Sequence, residues 1–210
     1  MTLAKGLKSV SMIIAVCGTY FCSFVADKRR VRWDKVHEPE VDSDNFHKIV
    51  KVNDKVILGM TGLFYPGETL VSPLDVYPNK EGITLRQAEK ATVDYFERVV
   101  GDISESRFYF IGGKDNKGNF GIYQIYFDRA SGKIVSNYLT SEPPANNFVM
   151  SVALPPSYRF QKEIREAQVA HAIRNSSRHD ELLDSLGNII KDVSEQDTTV
   201  GKKIEYLSVF

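Results

Sequence analysis

The chain has 210 residues, of which 42% are apolar and 26% are charged, so it can form one folded domain and is not a disordered protein. Its 27 basic and 27 acidic residues cancel, which leaves no positive field to attract nucleic acid. Cys17 and Cys22 lie five positions apart in an apolar segment, and the four histidines are scattered, so no metal or redox spacing occurs. We expect buried reduced thiols, no metal and no cofactor.

The apolar run from Met12 to Ala26 follows Lys5 and Lys8 and so imitates a secretory signal peptide. Small polar residues interrupt the run, and it is shorter than the roughly 20 residues that a membrane span needs. We therefore expect a cytoplasmic protein that does not enter a membrane.

The first part of the chain is predicted to be β-structure. Runs of β-forming residues, separated by turn signals such as Gly18-Thr19 and Asn53-Asp54, indicate strands over 12–17, 20–26, 48–52 and 55–60. Two polar or Pro-containing stretches, 29–45 and 63–82, are predicted to be loops, the first with some extended structure.

The second part mixes helices with strands. Thr84 and Gln87 have the spacing of a helix-capping pair, and the apolar residues after them recur at helical intervals, so a helix is predicted over 85–100. Further strands are predicted over 107–113, 120–128, 134–138 and 204–209, and further helices over 159–174 and 179–193. Segregated runs of this kind indicate an α+β fold with sheets at the centre and helices outside.

Several short motifs follow one another in a fixed order along the chain. Ser11 begins the first apolar stretch, which leads into Val25-Ala26-Asp27-Lys28-Arg29. Lys48 then precedes a strand that Gly62 follows, and Asp197-Thr198-Thr199-Val200-Gly201 precedes the last strand. In this order the motifs resemble the proteasome β-subunit family of N-terminal-nucleophile hydrolases. The resemblance covers most of the chain and implies a four-layer αββα sandwich.

The resemblance implies that Ser11 is the nucleophile. Residues 1–10 would then be an N-terminal extension or propeptide, and residues 11–210 a single proteasome-subunit-like domain. In this family the hydroxyl of the first residue attacks a carbonyl while its free α-amine, with an ordinary pKa near 8, acts as the base. Thr2 is an alternative nucleophile once Met1 is removed, but no apolar strand follows it.

The resemblance also implies roles for residues around the nucleophile. Lys48 would lie beside it with Asp27 as ion-pair partner, and Gly62 would offer a backbone N–H to the developing oxyanion. Arg29 would be structural, as a partner of Asp27 or of a turn carbonyl. Two more residues would support the α-amine, Ser151 and Asp197.

The function that the resemblance implies is hydrolysis of peptide bonds inside a homo-oligomeric ring. Substrates would be unfolded polypeptides or peptides, and an ATP-dependent unfoldase could deliver them. The chain contains no GxxxxGK[ST] phosphate-binding motif, so this motor would be a separate protein.

Two other functions fit the same fold. The family has small residues at several positions near the site where this chain has bulkier ones, which favours a catalytically inactive structural ring subunit; these are Val10, Met150, Val152 and Val200. An amidohydrolase that acts on a small amide is also possible, with the stretch 63–82 shaping its pocket, because a fold does not determine its substrate.

Overall fold

The computed structural model describes residues 7–9, 12–32, 40–64, 69–103, 107–128, 131–140, 148–155 and 161–210. Ser11, Val10 and Thr2 lie outside the described residues. In the described part, two β-sheets pack face to face and helices cover both outer faces. The predicted four-layer αββα sandwich is therefore confirmed.

The larger sheet contains eight strands, all paired antiparallel. They are β1 (Leu7–Ser9), β4 (Arg30–Arg32), β5 (Glu40–Ser43), β6 (Ile49–Asn53), β7 (Val56–Phe64), β8 (Phe108–Lys114), β9 (Phe120–Asp128) and β10 (Lys133–Thr140). Their order is β10-β9-β8-β7-β1-β4-β5, and β6 also pairs with β7. Strand β7 therefore has β8 along one edge, and first β6 and then β1 along the other.

The smaller sheet has the order β11-β2-β3-β12, with β2 (Ile13–Gly18), β3 (Cys22–Asp27), β11 (Phe148–Ala153) and β12 (Ile204–Val209). Every residue of β2 and β3 is buried. These two strands are central and covered on both faces, which explains why they are continuously apolar rather than alternating. Cys17 and Cys22 face each other across this hairpin, and both thiols are buried and free.

Three helices form the outer layers: α1 (Leu85–Ile103), α2 (Lys162–Asn175) and α3 (His179–Gln196). Helix α1 packs on the larger sheet, where the rings of Phe96 and Tyr109 meet edge to face at 5.6 Å. Helices α2 and α3 pack on the smaller sheet. Between the two sheets, Phe24 and Phe110 meet edge to face at 6.5 Å. None of the helices that the structure describes is long and apolar enough to cross a membrane.

Most predicted elements are present, and the helix predicted over 85–100 begins where its capping pattern indicated. The N–H of Thr84 donates to Oε1 of Gln87 at 2.9 Å, and the N–H of Gln87 donates to Oγ1 of Thr84 at 3.3 Å. Strand β7 continues to Phe64, into the stretch that was predicted to be a loop, because its last three residues pair with β1. Strands β1 and β11 were not predicted from the sequence.

Candidate active site

The carboxylate of Asp27, at the end of β3, is the centre of the candidate site. Its Oδ1 accepts a hydrogen bond from the N–H of Met12 at 2.9 Å. Its Oδ2 accepts from the N–H of Arg29 at 3.0 Å, the N–H of Gly201 at 2.9 Å and Nζ of Lys48 at 2.7 Å. The side chains of Asp27 and Lys48 are both 0% exposed. One cation and three backbone donors therefore replace the water that burial removes from this carboxylate.

Lys48 lies directly before β6, and two strands fix its backbone. Its carbonyl oxygen accepts from the N–H of Met60 on β7 at 2.9 Å, and its own N–H donates to Oε1 of Glu205 on β12 at 2.6 Å. Burial lowers the pKa of Lys48, and the charge of Asp27 opposes that effect. As the cation of this pair, Lys48 can stabilise a negative charge that develops close to its amine.

The turn that begins at Asp197 brings a backbone donor to this centre. Oδ1 of Asp197 accepts from the N–H of Thr199 at 2.8 Å and from its Oγ1 at 2.5 Å. The turn ends at Gly201, whose N–H reaches Asp27. A Cβ on Gly201 would lie 2.7 Å from Cβ of Arg29 and 3.0 Å from its backbone nitrogen, so the close approach requires glycine. Asp197 thus contributes to the site by stabilising the turn that positions the N–H of Gly201.

Arg29 ties the same turn to a neighbouring loop. Its Nη1 donates to the carbonyl oxygen of Thr198 at 2.8 Å, and its Nε donates to Oδ1 of Asp44 at 2.6 Å. The hydrogen bond from Arg29 lowers the pKa of Asp44. The sequence predicted a structural role for Arg29 with Asp27 or a turn carbonyl, and the structure contains both contacts.

The chain before the predicted nucleophile lies next to Gly62. Strand β1 is inserted between β4 and β7, with Lys8 opposite both Val31 and Leu63, and Ser9 opposite Gly62. Gly62 has a φ of +110°, which favours glycine because it has no Cβ. Two fixed points therefore flank residues 10 and 11 in the chain: Ser9 beside Gly62, and Met12 bonded to Asp27.

Ser151, predicted to support the α-amine, lies on the smaller sheet and is not among the described hydrogen-bond partners of Asp27. It is buried on β11 opposite Ala15 of β2, and Nε2 of Gln124 on the other sheet donates to its Oγ. Ala15 is three residues along β2 from Met12, which corresponds to about 10 Å. The hydrogen bond described for Ser151 therefore links the two sheets.

Three groups at the site were not predicted from the sequence: the N–H of Met12, the N–H of Gly201, and Glu205. A backbone donor carries no residue-type signal, although a glycine after a polar turn is a weak indication of close approach. Glu205 shares one face of β12 with Leu207 and Val209, so a carboxylate on this otherwise apolar face was a signal that the sequence analysis missed. Among the described residues, no group of three or more His, Cys, Asp or Glu side chains could hold a metal ion.

No protein-family model matches the chain, and no curated protein sequence matches it. Among solved structures, the crystal structure of eukaryotic HslV from Trypanosoma brucei matches with a TM-score of 0.54. The match covers 94% of this chain and 98% of that one. HslV is a proteasome-like N-terminal-nucleophile hydrolase. The fold is that of a proteasome-like subunit. At 13% sequence identity the likeness establishes the fold, and it agrees with the resemblance seen in the motifs.

Proposed function

We propose that the chain is a peptidase subunit in which Ser11 becomes an N-terminal nucleophile after residues 1–10 are removed. The main support is the buried pair of Asp27 and Lys48, which is bonded to the N–H of Met12, the residue that follows Ser11. A buried ion pair often stabilises a protein no more than apolar residues of the same size do. The bond from this pair to the residue that follows a candidate nucleophile therefore favours a functional role for the pair.

Processing would follow the usual chemistry of an acyl shift. The Oγ of Ser11 attacks the carbonyl carbon of Val10, its proton passes to the amide nitrogen as the Val10–Ser11 C–N bond breaks, and the positive charge of Lys48 stabilises the oxyanion that develops. Water then hydrolyses the ester, which releases residues 1–10 with a carboxylate and leaves Ser11 with a free amine and hydroxyl.

The position of β1 supports a peptide as the substrate. Residues 7–9 lie extended between β4 and β7, and both neighbours pair with them antiparallel. Once residues 1–10 leave, these strand edges would offer N–H and C=O groups to another extended chain. The N–H of Gly62 would then act as oxyanion donor, as the sequence predicted. A small amide would not use these strand edges, so this observation favours the peptidase over the amidohydrolase.

The same geometry also supports a catalytically inactive subunit. Asp27 joins β2, β3, Lys48 and the last turn, so the cluster has a structural function whether or not Ser11 reacts. Val10 favours this alternative because a β-branched residue restricts the backbone next to the scissile bond. Both functions place the subunit in a homo-oligomeric ring, and a peptidase could receive polypeptides from an unfoldase in the cytoplasm.

Intact mass distinguishes the two functions. We expect the parent chain to lose residues 1–10 and the Ser11→Ala chain to keep them. Ser9→Ala is the matched control, because it removes a hydroxyl two residues away and should be processed like the parent. Full-length mass in all three chains would refute self-processing and leave the inactive subunit. Light scattering at micromolar concentration tests the ring, and a monomer there would contradict it.

A further inference from the structure

We propose that Glu205 is a positioning residue for Lys48. Its carboxylate crosses from the smaller sheet to the larger one and fixes the backbone from which the Lys48 side chain reaches Asp27. The catalytic consequence rests on the proposed function, whereas the positioning itself can be measured without any activity.

The hydrogen bonds of Glu205 define this role. Glu205 lies on β12 opposite Ala26, one residue before Asp27. Its Oε1 accepts from the N–H of Lys48 at 2.6 Å and from the N–H of Ile49 at 3.3 Å. In the described residues, β6 pairs with β7 alone. Glu205 therefore supplies the acceptor that a neighbouring strand supplies inside a sheet.

The arrangement holds Lys48 from two sides. Its carbonyl oxygen is bonded to Met60 in the larger sheet, while its N–H is bonded to Glu205 in the smaller one. With both backbone groups fixed, the side chain can reach only a limited region, which contains Oδ2 of Asp27 at 2.7 Å. The position of the amine thus depends on how the two sheets are joined at this point.

The charge of Glu205 acts on the same amine. Its side chain is 11% exposed, so water screens it only in part. The charged groups that act most strongly on Lys48 are Asp27 from β3, Glu205 from β12 and Arg29 after β3; the two carboxylates raise the pKa of Lys48 and Arg29 lowers it. The charge of Lys48 also lowers the pKa of Asp44, which lies in the loop after β5. The second oxygen of Glu205 is bonded to Nδ1 of His47 at 2.7 Å, and that imidazole is 69% exposed.

Two substitutions separate the hydrogen bond from the charge. Glu205→Gln keeps an oxygen that can accept from the Lys48 N–H but removes the negative charge, whereas Glu205→Ala removes both. Asp54→Asn is the control, because it removes one negative charge at the far end of the β6–β7 hairpin, from a side chain that is 96% exposed. All chains carry Ser11→Ala so that their N-termini stay identical.

The pKa of the Lys48 amine is measured by NMR titration of its ε-carbon, and the exchange rates of the Lys48 and Ile49 amides are measured in the same chains. We expect Glu205→Gln to lower the pKa of Lys48 more than Asp54→Asn does, with both amides still protected. We expect Glu205→Ala to raise amide exchange about tenfold, the effect of losing one such hydrogen bond. The exchange of the Met60 amide reports whether the larger sheet is intact.

Unchanged Lys48 amide exchange in Glu205→Ala would overturn the positioning role, and equal pKa values of Lys48 in Glu205→Gln and Asp54→Asn would overturn the action of the Glu205 charge on the amine. Neither measurement requires Ser11 to react. If the parent chain fails to process itself but both Glu205 effects occur, the proposed function fails while the positioning role stands.

Discussion

Removing the charge of Asp27 should destabilise the protein more than removing any exposed charge. In Asp27→Asn one oxygen can still accept, but the new NH₂ group faces donors, and Lys48 loses its buried partner. Breaking a buried ion pair in this way costs about 3–5 kcal/mol. For a chain of this size, each kcal/mol lowers Tm by roughly 2–4 °C, so a decrease of about 10 °C is expected.

The assay is urea and thermal unfolding followed by circular dichroism. Lys80→Gln is the matched control, since its ion pair with Asp75 has a similar length of 2.9 Å but side chains that are 35% and 63% exposed. That variant should lose less than about 1 kcal/mol.

The pKa of Lys48 is lower in the folded chain than its ordinary value of 10.5, and losing Asp27 lowers it further. Below pH 10.5 the unfolded variant therefore binds more protons than the folded variant. The unfolding free energy that Asp27→Asn loses relative to the parent should become smaller as the pH rises towards 10.5. If Asp27→Asn lowers the unfolding free energy by less than about 1 kcal/mol, the value expected at an exposed ion pair, the conclusion that Asp27 and Lys48 form a buried ion pair is refuted.

Three further predictions concern other parts of the structure. Gly201→Ala should cost about 1–3 kcal/mol in urea unfolding because its Cβ would overlap Arg29, whereas Gly82→Ala, which has no atom within 4 Å of its Cβ, should be tolerated. Burial lowers the pKa of His179 below its ordinary 6.5, so stability should fall as the pH drops from 6.5 through the folded pKa, and His179→Gln should remove that part of the pH dependence. Thr84→Ala should cost about 1 kcal/mol through loss of the helix cap; an unchanged urea midpoint would contradict this.

The parts of the fold that the sequence predicted are those with a local signal. The strands β2 and β3 are continuous apolar runs around Gly18-Thr19, and α1 has both a capping pair and helical periodicity. Strand β1 could not be predicted, because three residues of a terminal segment without a clear β-pattern become a strand only when β4 and β7 flank them. The extension of β7 to Phe64 has the same non-local cause.

The groups of the candidate site also fall into those that the sequence predicted and those that it did not predict. Asp27 and Lys48 were expected as a pair from the order of motifs, and they lie 2.7 Å apart, while their catalytic role stays a prediction. The donors that converge on Asp27 from Met12 and Gly201 depend on backbone geometry, which residue types do not encode. Glu205 comes close to Lys48 only because β12 pairs with β3, and these strands are far apart in the sequence.

Because Asp27 holds several segments together, its substitution cannot by itself reveal a catalytic role. A variant that loses both stability and activity is expected from either proposed function, since Lys48, Met12 and Gly201 all depend on the same carboxylate. Ser11 differs, because the proposed chemistry uses its hydroxyl, whereas the described hydrogen bonds to Asp27 come from Met12, Arg29, Lys48 and Gly201. A Ser11→Ala chain that unfolds like its parent but retains residues 1–10 would therefore assign the chemistry to the hydroxyl. If the parent also retains them, the Asp27 cluster has only its structural function.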